Sequence, residues 1–145
     1  DQQANANTIG DEPMQYFFKF SNVTVAVCEK RVDGIKGIIA KDKTTRAIIC
    51  DDAYQHRYVK PDIYILLTDY KRTYVNDYLM PYGRLRENKN GAQRAHIIIV
   101  TKCPKNISIT ERETIISELQ PLPDQEVYFS YITYCHCSVR CVHTA

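Results

Sequence analysis

The sequence predicts an all-β protein in which short antiparallel strands close into a barrel, or pair with a second sheet, while one helix packs outside. Residues 63–137 carry the pattern, since they run in order as strand, turn, strand, polar loop, strand, helix, strand and cysteine. Short strands joined by hairpins bury a core only when their sheet closes on itself or meets another sheet. A single late helix can then cover only the outside of that sheet.

The first half of the chain supplies the early strands. Residues 23–28 alternate and are rich in β-branched side chains, which is typical of a strand. Asp33-Gly34 is a strong signal for a two-residue hairpin. An apolar run at 14–20 fits either a strand or one or two helical turns. The remaining strands predicted in this half cover 35–40, 45–50 and 56–59.

The second half supplies the other strands and the helix. A helix is predicted over 108–120, because either Ser108 with Glu111 or Thr110 with Glu113 forms a capping box and Pro121 follows. Its apolar stripe consists of Ile109, Ile115, Ile116 and Leu119. The strands predicted in this half cover 63–68, 73–80, 95–102 and 127–133.

Length and composition indicate one soluble domain. The chain has 145 residues, of which 44% are hydrophobic and 25% charged. A net charge of +2 does not favour nucleic-acid binding, and no apolar stretch is long enough to span a membrane. We expect residues 1–13 to be a flexible lead-in and residues 14–145 to form a single domain with a disulfide-rich tail.

Cysteines and glycosylation sequons predict a secreted, extracellular protein. Six cysteines, an even number, favour disulfides in an oxidising compartment: Cys28, Cys50, Cys103, Cys135, Cys137 and Cys141. Sequence alone does not choose their pairing. Asn22 and Asn106 begin N-glycosylation sequons. The cysteine and histidine residues of the tail could suggest zinc, but their C-x-C spacing is poor for chelation, so we expect no metal.

Three ordered features of the second half resemble the lipocalin family, in a divergent form similar to the salivary lipocalins of ticks. Thr68-Asp69-Tyr70 matches a T-D-Y turn, Lys102-Cys103-Pro104 takes the place of a basic residue before the helix, and a strand after the helix leads to a cysteine. The tryptophan of the family's first motif is absent, and Phe20 is its nearest equivalent. The resemblance implies an antiparallel up-and-down barrel with its C-terminal helix outside.

It also implies a small hydrophobic or amphipathic ligand, a lipid mediator or an amine, carried inside the barrel. Alternation along the strands gathers candidate ligand-binding residues on inward faces: Tyr64, Leu66, Tyr74, Asn76, Tyr78, Phe129 and Tyr131. The opposite faces are aliphatic, so an inverted register would fill the barrel instead. In that case, the protein would be a secreted protein-binding module or inhibitor that acts on a host protein through its loops. A purely structural or storage role is a third hypothesis.

Chemistry beyond binding is not predicted. The four histidines lie in no nucleophile motif, so we expect no enzyme activity, no catalytic residue and no cofactor. Asp69 could bind a cationic amine, although an aspartate in such a turn more often accepts hydrogen bonds from the backbone. The basic cluster at 84–94 is interpreted as a solvated loop.

Overall fold

A computed structural model describes residues 10–133, which divide into two compact units, one ending at Val59 and the other beginning at Lys60. Three of the six predicted disulfide cysteines lie outside the described residues: Cys135, Cys137 and Cys141. Most of the predicted lead-in, residues 1–9, also lies outside them.

The first unit contains two helices, α1 (Asp11–Lys19) and α2 (Arg31–Lys41). The hairpin predicted at Asp33-Gly34 is wrong, because both residues lie within α2. A Cβ on Gly34 would come within 2.9 Å of the Cβ of Cys28. The glycine therefore allows the segment that contains Cys28 to approach the helix closely. Close packing, and not a turn, is the reason for a glycine at this position.

The other strands predicted in this unit are also absent from the described structure. Residues 35–40 lie within α2, and residues 23–28 and 45–50 have no regular secondary structure. Val27 and Ile49 are exposed, so the apolar side chains of these two runs do not build a common core within the unit.

The second unit is built on a three-stranded sheet with the order β1-β2-β3, in which both neighbouring pairs are parallel. Its elements are β1 (Ile65–Asp69), a 3₁₀ helix (Tyr74–Asn76), a second 3₁₀ helix (Lys89–Arg94), β2 (Ile97–Thr101), α3 (Ile109–Leu119) and β3 (Glu126–Phe129). The predicted antiparallel barrel is therefore wrong, and the second unit is an α/β fragment with an open sheet.

The reason for this difference is visible in β2. Residues 97–100 are four consecutive aliphatic side chains, a composition typical of a parallel strand rather than of an alternating antiparallel one. The order β2, α3, β3 is then a βαβ unit, because parallel neighbours require a crossover connection.

One face of the sheet holds the core of this unit. Ile98 and Val100 on the central strand are completely buried. From α3, Ile115 and Leu119 are buried, and the guanidinium of Arg112 lies 5.6 Å from the centroid of the Phe129 ring. The opposite face remains open, since its side chains are about half exposed: Ile65 49%, Leu67 63% and Tyr128 52%.

The predicted helix is confirmed, and its capping box uses the first of the two candidate pairs. Ser108 accepts a hydrogen bond from the amide of Glu111, while the Glu111 carboxylate accepts one from the amide of Ser108. Gln120 ends the helix in the left-handed region at φ 48°, directly before Pro121. Within the predicted stripe, Ile115 and Leu119 are buried, but Ile109 is 75% exposed.

Candidate functional site at the carboxyl edge of the sheet

An ion pair joins the carboxyl ends of β1 and β2. Lys102 Nζ donates to Asp69 Oδ2 over 2.7 Å, and the Lys71 amide donates to Asp69 Oδ1 over 2.9 Å. The hydrogen bond from Lys102, followed by the one from Lys71, holds the pKa of Asp69 below its usual value. In open parallel sheets, ligands bind outside the carboxyl ends of the strands. This edge is therefore the candidate ligand-binding site of the second unit.

The backbone of Lys102 supports that choice. Lys102 has φ +59°, a left-handed conformation that is uncommon for a residue other than glycine. Its side chain is 61% exposed although it is paired with Asp69. A strained residue that directs an accessible cation to the edge of a sheet is a candidate for ligand binding.

A cleft of about 410 Å³ opens between the loop after β1 and the first turns of α3. The Tyr70 hydroxyl donates to Glu111 Oε1 over 3.2 Å, and Asn76 Nδ2 donates to Glu118 Oε2 over the same distance. Burial, and then the charge of Glu111, raise the pKa of the Tyr70 phenol. The cleft is therefore lined by hydroxyl, amide and carboxylate groups, which suit a polar ligand.

The carboxylate of Asp77 anchors the next feature of this edge. Oδ1 of Asp77 accepts hydrogen bonds from the Tyr78 amide over 2.7 Å, the Arg84 amide over 3.2 Å and Arg72 Nη2 over 2.7 Å. Burial of Asp77 opposes ionisation, but these donors outweigh it, and the pKa of its carboxyl falls below the usual value. A single buried carboxylate thus holds both ends of a short hairpin.

The 78–85 hairpin is closed by its own backbone. The Leu85 amide donates to the Tyr78 carbonyl and the Met80 amide donates to the Leu85 carbonyl, each over 3.0 Å. A Cβ on Gly83 would overlap the Tyr78 carbonyl, so only glycine fits this position of the turn. The hairpin is a built element rather than part of the unstructured polar loop that the sequence indicated.

Basic side chains lie in and directly after the hairpin, as the sequence indicated. Arg84, Arg86 and Lys89 are exposed, whereas Arg94 is half-buried and pairs with Glu87 over 2.7 Å. Lys89 Nζ donates to the Val75 carbonyl over 2.6 Å. Arg94 and Lys89 are therefore held by these contacts, whereas Arg84 and Arg86 are exposed to solvent.

The predicted ligand-binding residues do not surround an interior cavity, because the barrel that would contain it does not exist. Leu66 and Phe129 lie half-buried on strands, and Tyr64 stacks on His96 with ring centroids 5.9 Å apart. Tyr131 is about half exposed. As ligand contacts, all seven stay a prediction.

The structure does bring two of the seven, Tyr74 and Asn76, together in one 3₁₀ turn against α3. The Tyr74 hydroxyl donates to the Leu119 carbonyl over 3.3 Å, and Asn76 lines the polar cleft. Tyr78 lies apart from them at the base of the hairpin, where it borders a hollow of about 380 Å³.

The described cysteines do not form disulfides with one another. Cys28, Cys50 and Cys103 are free thiols, and Cys103 is buried. Burial raises the pKa of the Cys103 thiol. Asn22 and Asn106 are exposed in turns, and their glycosylation stays a prediction. Among the residues from 10 to 133, no helix has the length and apolar character needed to cross a membrane.

The open parallel sheet, with a helix between β2 and β3, defines the second unit as an α/β fragment, in which the carboxyl edge of the sheet is the usual place for a ligand. Residues 1–135 match the family described as LpxK, tetraacyldisaccharide-1-P 4′-kinase. The chain belongs to the LpxK family. No solved structure matches the chain.

Several bacterial relatives carry the same name, tetraacyldisaccharide 4′-kinase. The Flavobacterium johnsoniae protein is 45% identical over 92% of this chain and 39% of its own length. The Bacteroides thetaiotaomicron protein is 48% identical over 91% of this chain and 35% of its own length. The Porphyromonas gingivalis protein is 40% identical over 87% of this chain and 36% of its own length. The chain therefore spans little more than a third of the length of these relatives.

These findings correct the functional reading of the sequence. The resemblance to lipocalins is wrong, and so are the predicted small-ligand carrier and its alternative, a secreted protein-binding module. The predicted absence of enzyme activity is wrong for this family, whose members are named as kinases. The predicted secreted location rested on the six cysteines and the two glycosylation sequons, and it is also wrong.

Sequence reasoning did not identify Lys102, Arg72 or Asp77 as a group. Asp69 was the exception, because the turn interpretation predicted that its carboxylate accepts from the backbone, and the bond from Lys71 confirms this. A signal was available for Lys102, since it directly follows an aliphatic run that had been identified as a strand. Polar residues at that position of a parallel strand are candidates for binding.

Proposed function

We propose that this chain forms part of a kinase that transfers a phosphoryl group to the 4′ position of a tetraacyldisaccharide 1-phosphate. The observation that carries the proposal is the family match over residues 1–135, together with relatives of that name at 40–48% identity. The substrate is amphipathic, with a phosphorylated sugar head and four acyl chains.

The carboxyl edge of the sheet is suited to the anionic, polar end of such a substrate. Lys102 and Lys71 are exposed at this edge, and Lys71 lines the cleft together with Tyr70. Ammonium groups bind phosphate as compact point charges. Because Asp69 is ion-paired and its pKa is lowered, it remains ionised near neutral pH and positions Lys102 rather than accepting a proton from a sugar hydroxyl.

Phosphoryl transfer by kinases ordinarily uses Mg²⁺, and an aspartate is one of its usual protein ligands. Asp51 and Asp52 follow the apolar run 47–50 and are exposed, so their donor chemistry fits such an ion. No group of three metal-ligating side chains forms within residues 10–133, but Mg²⁺ retains several waters and needs only one or two carboxylates. When bound, the ion would neutralise charge on the transferred phosphoryl group.

A chimeric kinase tests the proposal. The matching segment of the Flavobacterium johnsoniae protein is replaced by this chain, and the purified chimera is assayed with ATP and tetraacyldisaccharide 1-phosphate. We expect 4′-phosphorylated product. We expect Lys102→Met to lower kcat/KM about 10- to 100-fold through loss of a charge-assisted contact. The matched control is Lys105→Met, at an exposed lysine beyond the edge.

Two results would contradict the proposal. A chimera that melts like the parent kinase but makes no product would remove the assigned activity from this segment. Equal rates for the Lys102 and Lys105 variants would remove Lys102 from the site.

A further inference from the structure

A hydrogen bond joins α1 to the aspartate pair at 51–52 within the first unit. The Tyr16 hydroxyl donates to Asp51 Oδ2 over 3.0 Å, across 35 positions of the sequence. Tyr16 is still 42% exposed, and α1 has no buried residue. Burial of an apolar ring therefore does not account for a tyrosine at this position, whereas its hydroxyl makes a defined contact with Asp51.

The aspartate pair lies on a turn that is held by hydrogen bonds of its own. Asp51 Oδ1 accepts from the Asp52 amide over 2.9 Å, and Gln55 Nε2 donates to the Asp52 carbonyl over 3.2 Å. Asp52 has φ +46°, in the left-handed region that is uncommon for a residue other than glycine. Each oxygen of the Asp51 carboxylate thus receives a hydrogen bond, one from this turn and the other from α1.

The two hydrogen bonds leave room on the Asp51 carboxylate for a further partner. An ionised aspartate offers about four lone-pair sites on its two oxygens, so about two of them remain. Asp51 is exposed, which leaves these sites accessible. Because the two donors approach different oxygens, together they restrict the rotation of the side chain without covering its carboxylate.

We propose that Tyr16 is a positioning residue, which holds the Asp51 carboxylate in the orientation that binds a divalent cation. The inference rests on the proposed function, in which Asp51 is a candidate ligand of Mg²⁺. Without the phenol hydroxyl, the Asp51 side chain would leave this rotamer more often for the other staggered ones. Loss of a side chain that orients a metal ligand weakens metal binding by a factor of about 10 to 100. Because Asp51 keeps the Asp52 amide as a second donor, we expect the lower end of that range.

Tyr16→Phe tests the proposal, because it removes the hydroxyl and keeps the ring. The full chain is titrated with Mn²⁺ alone, a cation that prefers the same oxygen ligands as Mg²⁺, and the electron paramagnetic resonance signal of unbound Mn²⁺ measures binding. We expect the dissociation constant to rise about tenfold. Tyr58→Phe is the matched control, because Tyr58 is 94% exposed and lies in the same unit. This variant should bind Mn²⁺ as the wild type does.

Two further measurements separate positioning from a general loss of structure. In a chain that already carries Asp51→Asn, adding Tyr16→Phe should change Mn²⁺ binding less than about twofold, because both residues act through one contact. In the chimeric kinase, Tyr16→Phe should raise the Mg²⁺ concentration at half-maximal rate about tenfold and change kcat at saturating Mg²⁺ less than about twofold. Melting temperatures of the Tyr16 and Tyr58 variants, measured without metal, should agree.

The proposal is overturned if the wild-type chain does not bind Mn²⁺, if Tyr16→Phe binds it as tightly as Tyr58→Phe, or if Tyr16→Phe has the same effect with and without Asp51→Asn. A lower melting temperature of Tyr16→Phe with unchanged Mn²⁺ binding would leave Tyr16 a structural role only. The titration contains neither nucleotide nor disaccharide, so an inactive chimera leaves its result unaffected. An active chimera in which Tyr16→Phe behaves as the control would keep the proposed function and reject the role of Tyr16.

Discussion

The 78–85 hairpin is held by hydrogen bonds to the Asp77 carboxylate, whose charge depends on pH. This carboxylate accepts from two amides and one guanidinium, which lowers its pKa in the folded chain. An unfolded aspartate has a pKa of about 4. The pKa of Asp77 is lower in the folded chain than in the unfolded chain. Its contribution to folding stability is therefore fully present above about pH 4, and it is lost as the pH falls through the folded pKa.

We therefore expect Asp77→Asn to lower the melting temperature at pH 7, since the asparagine keeps an acceptor oxygen but loses the charge. The difference from the wild type should shrink as the pH falls from about 5 toward 3. Thermal melts across this range measure it. Asp124→Asn, at an exposed aspartate for which the structure gives no ion pair, is the control. A constant difference at all pH values would mean that charge has no part in anchoring the hairpin.

The sequence indicated some of these residues individually but not their association. Asp69 was recognisable because T-D-Y is a turn pattern whose carboxylate satisfies nearby amides, and it does so here. Asp77 was not recognisable, because alternation along 73–80 suggested a strand. Instead, Tyr74–Asn76 form a 3₁₀ turn, and Asp77 is buried at its end. Its partners are set by the fold, and no local pattern in the sequence encodes them.

Among the helices and strands, α3 is the element whose position is most fully determined by local sequence, because a capping box marks its beginning and a proline follows its end. The reciprocal bonds of Ser108 and Glu111 satisfy two amides of the first turn, and they also lower the pKa of Glu111. The helix could be predicted because a capping box and a proline are local signals.

Replacing the cap tests this. Ser108→Ala should destabilise the chain by about 1 kcal/mol, because the first-turn amide of Glu111 loses its acceptor. Urea unfolding followed by helical circular dichroism gives the value. Thr110→Ala is a suitable control, because Thr110 lies two residues further along the chain and belongs to the capping-box pair that the structure does not use. If both variants lost the same stability, the assignment of Ser108 as the cap would be wrong.

The strands were harder to interpret than the helix. Aliphatic runs such as 97–100 identify a strand, but they do not state whether its neighbours are parallel. The strand–helix–strand order is what indicates parallel neighbours, because a helix between two strands is the ordinary connection of a parallel pair. The Asp33-Gly34 and T-D-Y patterns instead indicate hairpins, and hairpins predict an antiparallel barrel.

At the scale of the whole second unit, the two faces of one sheet should respond differently to substitution. Ile98 is completely buried, so Ile98→Val should cost about 1 kcal/mol of stability through lost packing. Leu67 is 63% exposed, so Leu67→Thr should leave stability nearly unchanged and lower the binding of an apolar fluorescent dye. Urea titrations of both variants measure their stability, and dye titrations measure the apolar surface that remains exposed. A large loss of stability for Leu67→Thr would mean that this face is covered.

The open face follows from the direction in which the chain winds. Each step from β1 to β2 and from β2 to β3 moves one place in the same direction across the sheet. Right-handed connections then lie on a common side, in agreement with the hydrogen bond from Tyr74 to Leu119 and with Arg112 above Phe129. Only a connection that returned past β1 would wind across Ile65 and Leu67. Within the described residues of the second unit, 60–133, the exposure of these aliphatic side chains is therefore a consequence of one-directional winding and not of a shortage of apolar residues.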